Sequence, residues 1–166
     1  DNITVSGNGS NVTVDKINTG AGDDTLTINN SGSVTTVDLG LGKDTLTVSG
    51  ANASIANAKI NLGAGDDKIT LATVGTNGLS GATIDGGDGR DTLIVSGDIS
   101  SSGDFTLKNI EVLQANSSAK VSYAQIKDQT LTLMSGDGNK LEIDAANTAT
   151  IDLTKLSNEA TSDETA

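Results

Sequence analysis

Four segments of the chain repeat glycine and aspartate at one spacing. They are Asn18-Thr19-Gly20-Ala21-Gly22-Asp23-Asp24, Asp38-Leu39-Gly40-Leu41-Gly42-Lys43-Asp44, Asn61-Leu62-Gly63-Ala64-Gly65-Asp66-Asp67 and Asp85-Gly86-Gly87-Asp88-Gly89-Arg90-Asp91. Each leads straight into a short apolar run. Glycine has no Cβ and reaches backbone angles that turn successive carbonyls to one side; the closing aspartate adds charge. Calcium takes about six to eight oxygens of this kind, at roughly 2.3–2.6 Å. One loop supplies half of such a shell, so the spacing predicts ions shared between loops stacked in neighbouring coils. The expected pairs are Asp24 with Asp44, Asp44 with Asp67, and Asp67 with Asp91, joined by carbonyls of Gly20, Gly22, Gly40, Gly42, Gly63, Gly65, Gly86, Gly87 and Gly89. Three calcium ions follow, and a fourth fits between Asp24 and Asp1, because Asp1-Asn2-Ile3 matches Asp24-Thr25-Leu26 in type. Carboxylates stacked in this way repel one another, so the stack should open when calcium is withdrawn.

What positions these loops must be a coil that returns to the same place about every twenty-two residues. The first apolar residue after each turn is Ile3, Leu26, Leu46, Ile69, Leu93, Ile110, Leu131 or Ile151. A second follows two positions on: Val5, Ile28, Val48, Leu71, Val95, Val112, Leu133 or Leu153. Alternate residues share one face of a strand and can point inward together. The pattern predicts an all-β fold, a parallel β-helix or β-roll of about eight coils with calcium-binding turns along one edge. Gly/Asn/Ser-rich segments such as Asn29–Ser33 and Val48–Asn52 make the opposite edge, with return strands at Val12–Val14 and Ala82–Ile84. Longer return segments should bulge there.

Asp-Gly turns also make antiparallel hairpins. Hairpins, however, give no reason for one turn type to recur on one edge and a different type on the other. After Leu93 the glycine loop is lost, so residues 1–95 read as calcium-binding coils, 96–156 as metal-free coils, and 157–166 as an acidic linker or tail. Asp1 stands where a turn ends, which suggests a segment taken from a longer array.

Composition narrows the function. The chain has 166 residues, room for one domain, with 1% aromatics and Gly at 20 positions, a poor palette for a sandwich or bundle. Stacked Leu, Ile and Val would still fill a narrow helix of strands. The formal charge of −12 and pI near 4.1 argue against nucleic acid and anionic membranes, and suit a cation binder. No run is apolar enough to insert in a membrane, no signal peptide opens the chain, and cysteine is absent, leaving no disulfide framework. Parallel β-helices include sugar-cleaving enzymes, and two carboxylates can suffice for that chemistry. Here the turns account for the carboxylates, and there is no His, no Cys and a single Arg. The chain is read as a non-enzyme.

Gly86-Gly87-Asp88-Gly89-Arg90-Asp91-Thr92-Leu93-Ile94 carries the pattern Gly-Gly-x-Gly-x-Asp-x-apolar-x in full, whereas the other turns have Thr19, Leu39 and Leu62 at the first glycine. The chain resembles the RTX (repeats-in-toxin) calcium-binding family over residues 1–95, and poorly beyond. The family's pure form repeats every nine residues with metal turns on both edges; the longer period here leaves them on one. The resemblance implies that the carbonyls of Thr19, Leu39 and Leu62 join the ligand set. It also implies a secreted bacterial protein, exported unfolded by type I secretion and folded by external calcium. The composition is most similar to RTX-type surface-layer (S-layer) proteins, which assemble into a lattice on the bacterial cell surface. A structural role with self-association is the first expectation. A non-catalytic module of a secreted adhesin, hydrolase or epimerase is the second.

The remaining residues read more plainly. Asn18, Asp38, Asn61 and Asp85 suit either extra ligands or Asx caps of their own turns. Asp23, Asp66 and Asp88 are expected to be exposed, with Lys43, Lys68 and Arg90 offsetting charge beside them. Outward Thr25, Thr27, Thr45 and Thr47 are ordinary strand chemistry. Glu111 and Glu142 should face solvent, and Phe105 and Tyr123 should plug the metal-free half.

Overall fold

The computed structural model describes residues 1–127, 130–135, 140–145 and 156–158. Within them the chain winds a parallel β-solenoid. β1 (Asn2–Asn18) and β2 (Thr25–Asp38) each cross both walls of the coil, pairing at Asn2–Gly7 with Thr25–Asn30 and, after a register shift, at Val12–Asn18 with Gly32–Asp38. Later coils split this path in two. β3 (Thr45–Ser49) precedes β4 (Lys59–Ala64), β5 (Lys68–Ala72) precedes β6 (Thr83–Asp88), and β7 (Thr92–Asp98) precedes β8 (Thr106–Lys108). β9 (Val112–Ser122) is again long, and β10 (Leu131–Ser135), β11 (Leu141–Asp144) and β12 (Leu156–Asn158) follow. One wall stacks the first part of β1, then β2, β3, β5, β7, β9, β10 and β12; the other stacks the second part of β1, then β2, β4, β6 and β8. Every pairing among the described strands is parallel.

The inner ladders follow from the two-residue alternation. Leu26, Leu46, Ile69 and Leu93 stand in register, as do Ile28, Val48, Leu71 and Val95, and all are fully buried. The opposite wall adds Val37, Ile60, Ile84 and Leu107. Each such side chain removed from water stabilises the coil by about 1.5–3 kcal/mol. The sequence suggested that the longer return segments bulge; they are instead bonded from coil to coil. They stack, with Ser54 N–H donating to the Gly32 carbonyl (3.0 Å), Ile55 N–H to Gly78 (2.8 Å) and Leu79 N–H to Ser102 (2.8 Å). Ile55, Leu79 and Ile99 are thereby buried as a third apolar strip.

The coil count differs from the sequence reading: the described residues make about six turns rather than eight. The even spacing breaks at the turn after β8. Asp85 pairs with Lys108 and Thr92 with Val112, so seven steps along the chain in one coil are matched by four in the next. This shortcut moves the ladder. Leu113 and Ala115, not Ile110 and Val112, lie against Leu93 and Val95, and Leu133 lies against Leu113. Ile110 is buried in the corner instead. The expected positions Ile151 and Leu153, and residues 159–166 of the expected tail, lie outside the described residues.

Phe105 does plug the core, while Tyr123 is only half-buried, on a one-turn helix α1 (Tyr123–Ile126) that the periodicity gave no sign of. Ser122 and Gln125 form its capping box, and the buried Gln125 amide donates to the carbonyls of Ile99 (3.0 Å) and Gly103 (2.9 Å). No helix among the described residues is long and apolar enough to cross a membrane.

Truncating the middle of a ladder should cost far more than trimming the outer face. Leu46→Ala is expected to lose about 2–5 kcal/mol in chemical denaturation, against at most about 1 kcal/mol for its half-buried neighbour Thr47→Ala. Similar losses for the two would contradict the inward assignment.

Candidate metal centre

The four glycine turns stack along one edge. Ala21, Leu41 and Ala64 bridge in parallel from coil to coil, and Gly22 N–H donates to Leu41 (2.7 Å), Gly42 N–H to Ala64 (2.9 Å) and Gly65 N–H to Asp88 (2.8 Å). In the second, third and fourth turns, packing this close leaves no room for a Cβ on the positive-φ glycines, whereas Gly20 and Gly22 of the first turn face open space. A Cβ on Gly63 would stand 1.8 Å from the Gly40 carbonyl oxygen, and Gly63 itself has φ of 110°. Glycine is therefore required on two separate grounds.

Behind the turns the closing aspartates form a buried column. Asp24, Asp44, Asp67 and Asp91 are 2%, 1%, 2% and 0% exposed. One oxygen of each is used the same way. Asp24 N–H donates to Asp44 Oδ1 (2.7 Å), Asp44 N–H to Asp67 Oδ1 (2.7 Å) and Asp67 N–H to Asp91 Oδ1 (2.8 Å). Asp1 sits at the head of the column, its ammonium donating to Asp24 Oδ1 while its side chain is exposed. The second oxygen, Oδ2 of Asp24, Asp44, Asp67 and Asp91, is buried and has no hydrogen-bond partner. A buried carboxylate oxygen left in this condition is costly.

The neighbouring columns handle charge differently. Asp23, Lys43, Asp66 and Arg90 alternate in sign along the outer rim. Asp23 Oδ1 accepts from Lys43 N–H (2.8 Å), Asp66 Oδ1 from Arg90 N–H (3.2 Å), and Lys43 Nζ reaches Asp66 Oδ2 (3.2 Å). Asp23, Asp66 and Asp88 are exposed, as the sequence reading expected. Asn18, Asp38, Asn61 and Asp85 alternate amide with acid. Asn61 donates to Asp38 Oδ1 (3.3 Å), and Asn109 to Asp85 Oδ1 (2.7 Å). Only the inner column stacks like on like.

Four of the candidate carbonyl donors at this edge already carry bonds. The Thr19 hydroxyl donates to the Leu39 carbonyl (2.7 Å), Gly40 N–H to Leu62 (3.1 Å), Leu41 N–H to Gly20 (2.8 Å) and Ala64 N–H to Gly40 (2.8 Å). Each carbonyl keeps a second lone pair. The Leu39 and Leu62 side chains point into the core. Among the described residues no group of three or more His, Cys, Asp or Glu is arranged to hold an ion. A cation here would rest on neighbouring Oδ2 atoms, two carboxylates at a time, and on loop carbonyls. The unpartnered Oδ2 atoms fit that requirement.

Glu111 was expected in solvent. It is half-buried instead, and its Oε2 accepts from Asp91 N–H (2.8 Å), so it extends the column by one member. The signal was present in its position, directly before Val112, the partner of Thr92. The missing glycines concealed it. Compared with known protein families, curated proteins and solved structures, the chain has no match in any of the three.

Burial sets the electrostatics of the column. It raises the carboxyls of Asp44 and Asp67, and pushes Asp91 from 3.8 up to about 6, with Asp67, Glu111 and Asp66 adding repulsion. A carboxyl raised in the folded state contributes no penalty below its unfolded value. Its penalty appears as pH rises from 3.8 and is complete above about 6. Asp24, held low by the terminal ammonium, and Asp66, held low by the Arg90 amide, act in the opposite sense, at and below about 3.8. The metal-free chain should therefore melt at a higher temperature near pH 4.5 than near pH 7.5, read by circular dichroism. A melting temperature that rises over this window would contradict the buried column. Separately, Gly63→Ala should disrupt the turn stack and lower the melting temperature by at least as much as a core truncation.

Proposed function

We propose that this chain is a structural, calcium-dependent β-solenoid segment of a secreted bacterial surface-layer protein of the RTX kind, in which calcium staples adjacent coils and supports lattice assembly. One observation carries the reading: four buried, like-charged aspartates in register, each with one unpartnered oxygen, behind glycine turns of which the second, third and fourth are too tightly packed for a Cβ. When bound, calcium supplies the positive charge that this column lacks. The chain's own part is to hold Asp24, Asp44, Asp67 and Asp91 at fixed spacing through the Oδ1 ladder, and to keep water out with Leu39 and Leu62 behind them. Three ions between the four aspartates follow, with a fourth beside Asp1.

We read the segment as non-catalytic. The carboxylates of its glycine turns belong to repeating columns, which accounts for them without a catalytic role. Location at the cell surface belongs to the same proposal, since external calcium would supply the ions. A non-catalytic module of a secreted adhesin, hydrolase or epimerase would use identical turn chemistry and differ in what the segment is attached to.

Calcium titration of the metal-free chain should induce β structure in circular dichroism, with a midpoint on the order of 10⁻⁴–10⁻³ M. Asp44→Ala and Asp67→Ala should raise that midpoint more than Asp1→Ala, since each lies between two ions. Equal and negligible effects of all three would sink the shared sites. Electron microscopy of the calcium-loaded chain should reveal two-dimensional sheets; a strictly monomeric chain would shift the reading to the module.

A further inference from the structure

The junction between the glycine turns and the coil that lacks them holds a set of oxygens that the repeat does not account for. The fourth turn differs from the others at one residue. Position 86 is glycine where the corresponding positions carry Thr19, Leu39 and Leu62. A Cβ on Gly86 would lie 2.1 Å from the Asn109 carbonyl oxygen and 2.5 Å from Asp91 Oδ2. The missing methyl group is what lets these two oxygens flank a single spot. Asp91 is fully buried, and its Oδ2 has no hydrogen-bond partner. In the next coil Glu111 spends Oε2 on Asp91 N–H and has a second carboxylate oxygen to give.

The backbone explains why this coil needs a different solution. The shortened turn, Lys108 to Val112, has no room for a Gly-x-Gly-x-Asp loop. Asn109 takes a positive φ of 50° within it, the left-handed conformation that asparagine tolerates better than most residues. A glutamate, longer than aspartate by one methylene, occupies the column position of the aspartate. Asn109 and Glu111 thus replace a glycine turn by a carbonyl and a carboxylate.

We propose that Asp91, the Asn109 carbonyl and Glu111 form a further calcium site, at the boundary coil, beyond the ions expected between the aspartates. The proposal rests on the calcium reading of the column. It makes Asp91, like Asp44 and Asp67, a ligand shared by two ions, and it places the end of the metal-bound edge at Glu111 rather than at Asp91. The alternative role for Glu111 is purely structural: ending the hydrogen-bond ladder by accepting from Asp91 N–H.

Glu111→Gln separates the two roles, because the amide keeps an acceptor for Asp91 N–H and loses the charge. Calcium ions bound per chain, counted by native mass spectrometry on the 166-residue chain, should fall by one in Glu111→Gln, with the other ions retained. An unchanged count would overturn the proposal. Anomalous diffraction from calcium-loaded crystals of the unaltered chain tests the same site even if that variant does not fold. A peak within about 2.3–2.6 Å of Asp91 Oδ2, the Asn109 carbonyl and Glu111 is expected. Peaks between the earlier aspartates with none at the junction would overturn this site alone. A chain that takes up no calcium anywhere would overturn both this site and the calcium reading of the column.

Discussion

In-register parallel stacking places every residue above its counterpart in the next coil, and the rest of the structure is a response to that constraint. It rewards side chains that tolerate their own company. Leucine on leucine and isoleucine on valine make continuous apolar ladders, and threonine on threonine makes a good outer face. The same geometry penalises repeated charge. Across the ~4.8 Å between neighbouring strands, two unit charges repel by roughly 3.5 kcal/mol at an effective dielectric constant near 20. A repeat protein that copies an aspartate from coil to coil must therefore dilute it, pair it or neutralise it.

Two of these answers are present on one edge of this molecule. The column Asn18, Asp38, Asn61, Asp85 dilutes charge by alternating amide with acid; Asn61 donates to Asp38 within it, and Asn109 of the next coil donates to Asp85. The rim Asp23, Lys43, Asp66, Arg90 pairs it by alternating sign. The inner column does neither. It is also the most deeply buried of the three, where repulsion is least screened. The chain thus alternates charge where water would have softened the penalty anyway, and leaves it unbalanced where water cannot help. That contrast favours an external cation as the missing partner more strongly than the presence of aspartate does, since acidic turns are common in solvated loops.

Much of this was legible in the sequence because it is periodic. Leu26, Leu46, Ile69 and Leu93, with their partners two positions on, fall in the expected register, and so do the closing aspartates. Period-based reasoning failed where the period changes silently. The shortcut at Lys108–Val112 removes three steps without altering the local alternation of apolar residues, so Ile110 looked like a ladder residue while Leu113 held the place. The far-edge loops were misjudged for a related reason. Their length suggested bulging, but Ile55 and Leu79 give them an inward apolar residue to stack. Gln125 and α1 carry no periodic signature, because they satisfy carbonyls of earlier coils rather than repeat them.

The apolar ladder and the carboxylate column end at different places, and this divides the solenoid's dependence on its surroundings. The ladder passes through the junction without interruption, from Leu93 to Leu113 to Leu133. The column stops at Glu111. Coils on its N-terminal side gain packing from each neighbour but accumulate repulsion with each neighbour as well. The described coils beyond it gain packing and pair their charges instead, Lys120 with Glu142 and Asp144. Cooperativity in a stack of this kind runs only between adjacent coils, so the coils without the aspartate column are able to serve as a template on which the charged coils close. Under the calcium reading proposed above, the length of chain that waits for a cation ends at the shortened turn, Lys108–Val112.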